Sequence, residues 1–228
     1  MKTVKRLSTG ILFLLLLTGY SFSGIQCKKK VKVPAADTVA IAKGADISWI
    51  TEMEAAGRKF YDTDGTELDC FALLKKRGIN AIRLRVWVNP DGGWNGLNDV
   101  VAKAIRARNA GLRIMINFHY SDSWADPGQQ TIPRAWAALD AAGLRDAVSV
   151  HTRAVLRALK NNGVTPEWVQ VGNETNDGML WPAGRASANM NAFALLIRSG
   201  YEAVKSVDTS IKVIVHISNG FDNNLFRW

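Results

Sequence analysis

The chain has 228 residues, 47% hydrophobic and 21% charged, enough for one domain with a sizeable core. Its formal charge of +9 is concentrated at one end: Lys2, Lys5, Arg6, Lys28, Lys29, Lys30 and Lys32 all precede the first acidic residue, Asp37. The rest of the chain is nearly neutral, which excludes a nucleic-acid partner, and two cysteines leave no disulfide framework.

Residues 1–26 read as an export signal. Lys2, Lys5 and Arg6 form its charged start, residues 11–17 its apolar core, and Ser21 and Ser23 the small residues suited to cleavage after Ser23. That apolar run is too short to span a bilayer. Cys27 offers a second reading, a lipid-modified N-terminus, which is the one route by which the chain would meet a membrane. Gly24-Ile25-Gln26 fits a lipobox poorly, because Gln is bulky beside the Cys. The expected location is periplasmic, secreted or, with a lipid, on the outer surface. Residues 27–40, rich in Lys and then Pro-Ala-Ala-Asp, read as a linker.

From residue 41 to 228, strand and helix patterns alternate. A strand is expected over 44–50. Thr66 to Asp69 has the form of a capping box opening a helix over 69–77, stopped by Gly78, with Cys70 on its apolar face. Residues 81–88 form a second strand, and Asn98 is expected to cap a helix that Gly111 stops. Residues 113–120 are a third strand. A helix over 139–160 should be broken at Gly143 and ended by Asn161-Asn162-Gly163. Residues 167–172, 189–207 and 212–218 follow as strand, helix and strand, with no antiparallel hairpin signal anywhere.

Such alternation means a parallel sheet with helices outside it. An open doubly wound sheet would call for a Gly-rich phosphate loop after the first strand, and none is present. Long strand-to-helix loops rich in Trp, Asp and Asn favour a (β/α)8 TIM barrel, whose active site is built from those loops. The expected fold is this α/β barrel, truncated after about the fifth strand.

The expected strand ends collect polar and aromatic groups. Trp168 to Thr175 alternates into Gly172 and then presents Asn173 and Glu174. A Glu at a barrel strand end, behind an amide side chain, suits the proton donor of a glycoside hydrolase; a surface Glu at a loop start is the plain alternative. Arg83 and Arg85 share one strand face and would need carboxylates if buried. Arg83 either holds a catalytic carboxylate ionised or makes a structural ion pair. His119 either bonds a sugar hydroxyl or is a satisfied core histidine. His119, Asp122 and Asp126 match no zinc signature, so no metal is expected. Trp87, Trp94, Trp124, Trp136 and Trp181 are core residues or stacking platforms for the C–H faces of sugars, with Trp124 and Trp181 nearest the other candidates.

Three motifs in order, IRLRVWVNP (82–90), NFHYSDSWADPGQQTIP (117–133) and WVQVGNET (168–175), give a chain that resembles glycoside hydrolase family 53, from about residue 44 onward. The resemblance implies a retaining (β/α)8 endo-β-1,4-galactanase acting on (arabino)galactan, needing no cofactor and monomeric when complete. It implies Glu174 as acid/base, Asn173 at the sugar 2-hydroxyl, Arg83 orienting the nucleophile, His119, Asp122 and Trp124 on the substrate side, and His216 and Asn219 at the fifth strand. Trp87 and Trp181 join these as substrate-facing candidates. The family's nucleophile, a second Glu on strand seven, and the calcium loops of some bacterial members fall beyond this sequence. The expectation is therefore an N-terminal five-eighths, inactive and unstable by itself. Asn117 stands where the family commonly has an acidic residue. Two other readings stay open: another barrel endo-glycosidase, mannanase- or cellulase-like, or a non-catalytic glycan-binding remnant.

Overall fold

The structure, a computed structural model, describes residues 41–227. The expected export signal, Ser23 cleavage point, lipidation at Cys27 and 27–40 linker lie outside the described residues. In chain order the elements are β1 (Gly44–Asp46), α1 (Ile50–Ala55), β2 (Phe60–Tyr61), β3 (Glu67–Leu68), α2 (Cys70–Lys76), β4 (Ala81–Val86), α3 (Leu97–Asn109), β5 (Arg113–Phe118), α4 (Ala141–Asn161), β6 (Trp168–Val171), α5 (Met190–Val207) and β7 (Lys212–Ile214). Strands β1, β4, β5, β6 and β7 pair in that order, all parallel. These are five consecutive strands of a (β/α)8 barrel. No described helix is long and apolar enough to cross a membrane.

Side chains alternate across the strands, and the register sorts them into two faces. Leu84, Ile116 and Val169 lie side by side, as do Val86, Phe118 and Val171, and all six are fully buried. They pack with Val100 and Ala104 of α3, Val155 and Leu159 of α4, and Leu196 and Val204 of α5. Each such side chain contributes roughly 1.5–3 kcal/mol, so this outward face carries the fold. The opposite face holds Arg83, Arg85, Asn117 and Gln170, in register on β4, β5 and β6.

Several expected boundaries move, each for a local reason. The first strand stops at Asp46, not residue 50, because the Asp46 carboxylate accepts from both the amide and the hydroxyl of Ser48, bending the chain into α1. An antiparallel hairpin exists after all, β2 with β3, turned by Asp64-Gly65 with Gly65 at φ +82. Thr66 belongs to that hairpin, and Asp69 alone caps α2 through the amides of Phe71 and Ala72. Helix α3 begins at Leu97, so Asn98 is not its cap. Gly143 does not break α4; it lies in the first turn and donates its amide to the Asp140 cap. The last strand ends at Ile214, because the chain beyond it is drawn into the site. Cys70 is buried in the core, as its helix face implies.

Candidate active site

Strands β4, β5, β6 and β7 deliver their C-terminal ends to one rim, and β6 delivers the decisive turn. Gly172 sits at φ +81, and a Cβ there would lie 2.5 Å from Thr175 Cγ2. Glu174 is itself left-handed at φ +47, a conformation costing a non-glycine residue on the order of 1–3 kcal/mol unless its surroundings over-determine it. They do. His216 accepts through its carbonyl from the Thr175 amide (2.8 Å) and hydroxyl (3.0 Å), and through Nδ1 from the Glu174 amide (3.2 Å). Gln170 Nε2 donates to the Gly172 carbonyl (2.8 Å). The Glu174 carboxylate, partly exposed, makes no hydrogen bond or ion pair among the described residues.

Asn173 is nearly the reverse, a fully engaged amide. Its Oδ1 accepts from Arg83 Nη2 (2.6 Å), Gln170 Nε2 (3.2 Å) and Asn117 Nδ2 (3.3 Å), and its Nδ2 donates to the Ala125 carbonyl (2.7 Å). One amide hydrogen remains for a ligand. Arg83 is shared between Asn173, Gln170 Oε1 and the carboxylate of Asp46 on β1, at 2.7 Å. Burial pushes the Asp46 carboxyl up, but Ser48 and Arg83 more than offset this and hold it below its usual range. Burial, then Arg83, lowers His216, so the ring is neutral. A neutral Nδ1 cannot both accept from Glu174 and donate to Asn173 Oδ1, also 3.2 Å away. Since that Oδ1 already has three donors, Nδ1 serves the Glu174 amide and the proton sits on Nε2.

Residues 42–228 match the family model described as Glycosyl hydrolase family 53. The chain belongs to glycosyl hydrolase family 53. It is 37% identical over 188 residues to an arabinogalactan endo-beta-1,4-galactanase of Thermothelomyces thermophilus, covering 82% of this chain and 56% of that protein. It is 37% identical over 185 residues to the endo-beta-1,4-galactanase of Bacillus subtilis, covering 78% and 42% respectively. Among solved structures, the GH53 catalytic domain of Ignisphaera aggregans aligns with TM-score 0.77 at 38% identity, over 81% of this chain and 53% of that one. A fungal β-1,4-galactanase aligns with TM-score 0.78 at 37% identity, over 81% and 56%. The chain spans about half the length of the curated relatives it matches.

The structure gathers Glu174, Asn173, Arg83 and His216 of this family 53 chain into one hydrogen-bonded cluster. His119 is buried on β5's exit, and its Nδ1 accepts from the Ala125 amide, which places the proton on Nε2, a sealed donor with no acceptor among the described residues. Burial, then the charges of Arg85 and Arg83, drives it well below the ordinary histidine range. Trp87 and Trp124 border it edge-on, with ring centres 6.3 and 5.7 Å away. Trp124 keeps 40% of its surface exposed. Asp122 is committed to fastening loops: its oxygens accept from the amides of Asn89 (3.0 Å) and Arg134 (2.9 Å). Trp181 donates to the Asp177 carbonyl, and the Arg185 guanidinium covers one of its faces at 4.1 Å. Asn219 is exposed in a turn, and its side chain makes no hydrogen bond to the cluster. Trp136 is a core residue and Trp94 is half-buried.

The expectation that both strand arginines need carboxylates holds for Arg83 and fails for Arg85. Arg85 is buried with no ion pair among the described residues, and its guanidinium lies 4.0, 4.6 and 5.4 Å from the ring centres of Trp124, Trp87 and Trp49. Three indole faces replace a counter-ion. Asp46, Gln170 and Gln130 were not foreseen as site residues. A polar Gln alternating with Trp168, Val169 and Val171 was a visible signal; Asp46 and Gln130 carried none. Asn117, at the position where an acidic residue is common, instead donates to Asn173 and accepts from Gln170. No described group of His, Cys, Asp and Glu is placed to hold a metal.

Proposed function

We propose that this chain is the N-terminal part of an exported, retaining endo-β-1,4-galactanase that cleaves internal β-1,4-galactosidic bonds of (arabino)galactan. The observation that carries the reading is Glu174: a rigidly held backbone presenting an unpaired carboxyl at the barrel rim, directly after a tethered asparagine. Glu174 protonates the leaving glycosidic oxygen, then removes a proton from the water that attacks the glycosyl-enzyme. The nucleophile is a second carboxylate about 5–5.5 Å away, supplied from beyond the five strands. The free amide hydrogen of Asn173 meets the sugar 2-hydroxyl, and Arg83, already paired with Asp46, holds Asn173 in place. His119, sealed behind the rim, backs Trp124, whose exposed part packs on a sugar face. The substrate class is supported by the galactanase relatives.

The test is Glu174→Gln in the full-length protein, assayed by reducing ends released from galactan, mannan and cellulose. The wild type should favour galactan, and the variant should lose at least about 1,000-fold in kcat, as removal of a general acid/base does. Normal turnover by the variant would refute the acid/base role, and a preference for mannan or cellulose would refute the substrate.

A further inference from the structure

The turn bearing Glu174 is clamped from two sides. His216 holds its amides, and Gln130, from the loop after β5, holds its carbonyls. Gln130 Nε2 lies 2.8 Å from the Asn173 carbonyl oxygen, 3.3 Å from that of Glu174 and 3.1 Å from that of Asp126. Three acceptors around one group require the amide nitrogen there, not the oxygen, which fixes the side chain's orientation. The residue is buried, with 3% of its surface exposed. Its Oε1 is sealed away without a partner among the described residues. A group that leaves its own acceptor unsatisfied is a poor device for stability alone. Its backbone carbonyl also accepts from the Trp181 amide at 2.7 Å, so the residue joins three loops at the point behind the carboxyl.

We propose that Gln130 is a positioning residue that fixes the left-handed backbone of Glu174 and so aims its carboxyl at the glycosidic oxygen. This rests on the reading of Glu174 as acid/base. Without the Gln130 donors, the Asn173 and Glu174 carbonyls lose their partners and the backbone can relax to a commoner conformation. Displacing a catalytic group by about 1 Å costs about 100-fold in rate.

A misaimed proton donor has a signature that general loosening lacks. Galactan departs as a poor leaving group and needs protonation, whereas an activated aryl β-galactobioside does not. The experiment compares Gln130→Leu, Gln130→Glu and Glu174→Gln with wild type in the full-length protein, on both substrates and across pH. We expect Gln130→Leu to lose about 100-fold in kcat/KM on galactan and far less in kcat/KM on the aryl substrate. The reason is that kcat/KM reports the step in which the proton is donated, whereas kcat on the aryl substrate also carries the step in which Glu174 is the base. Gln130→Glu keeps the shape but turns a carboxylate oxygen toward three carbonyls. Its galactan kcat should recover as pH falls and the buried acid gains a donor proton. The Glu variant also covers the case in which the Leu variant does not fold.

Equal losses in kcat/KM on both substrates, a Leu variant within about two-fold of wild type on galactan, or a Glu variant with the wild-type pH profile would each overturn the positioning role. If Glu174→Gln shows the leaving-group-graded loss while the Gln130 variants do not, the positioning role alone falls. If Glu174→Gln cleaves galactan normally, the acid/base reading falls and takes this one with it.

Discussion

His151 on α4 should make the protein acid-sensitive by an amount that can be worked out. Its ring lies among Phe118, Tyr120 and Trp136, with ring centres 5.7, 6.3 and 6.0 Å away, and its Nε2 is enclosed without a partner. Burial alone pushes its pKa from 6.5 down to about 4. The folded state therefore disfavours the proton, and the unfolded chain takes it up first. Stability is intact above pH 6.5, falls as pH drops toward 4 and levels off below that. At 1.36 kcal/mol per pH unit the full loss is up to about 3 kcal/mol, and about 2.5 kcal/mol by pH 4.5. Part of the residue reaches the surface, so this is an upper bound. Urea denaturation followed by circular dichroism at pH 7 and 4.5 should show His151→Phe losing roughly 2 kcal/mol less than wild type over that interval. His119 contributes a slope of the same sign, so the comparison between proteins, not the raw slope, is the readout. Parallel pH dependences for the two proteins would refute the reasoning.

Two further substitutions test the frame behind the site. Lys103 is fully buried, and its Nζ is shared by the Ser48 carbonyl (2.7 Å), Asn95 Oδ1 (3.0 Å) and the Asp99 carboxylate (2.7 Å). Lys103→Met should cost about 3–5 kcal/mol, since a mostly buried carboxylate and two oxygens lose their cation. Adding Asp99→Asn should cost less than its own single effect, and strict additivity in the double-mutant cycle would argue against the coupling. Gly178 sits at φ +88, and a Cβ there would come 2.0 Å from the Gly184 carbonyl oxygen and 2.7 Å from the Ala186 amide. Gly178→Ala should therefore destabilise by roughly 2–5 kcal/mol, lowering Tm in calorimetry; an unchanged Tm would contradict the packing of that loop.

The outward face was legible in the sequence because period-two alternation of Ile, Leu and Val records burial directly. The start of α2 near residue 69 and the helix over 189–207 were legible because helix signals are local, although the box expected over 66–69 resolved into Asp69 alone as the cap. The Asn173-Glu174 pair was legible for a similar reason, being contiguous with its strand. What escaped was long-range or unconventional. Asp46 reaches Arg83 across 37 residues and Gln130 reaches Asn173 across 43, distances at which spacing carries no information. Arg85 escaped because an opposite charge was sought where aromatic faces were used. The β2–β3 hairpin escaped because two-residue strands have no periodicity to detect, although Asp64-Gly65 marked its turn.

The two faces of the sheet also determine what different screens can see. A library selected for soluble expression would be stringent at Leu84, Ile116 and Val169, whose loss opens cavities. The same selection would register Asn117 and Gln170 too, whose buried partners would be left unpaired, but would pass over the partly exposed, unpaired carboxylate of Glu174. Variation at that carboxyl leaves the core untouched, so a well-behaved homologue need not be a working one. Expression level and turnover report on different residues of this scaffold, and each needs its own assay.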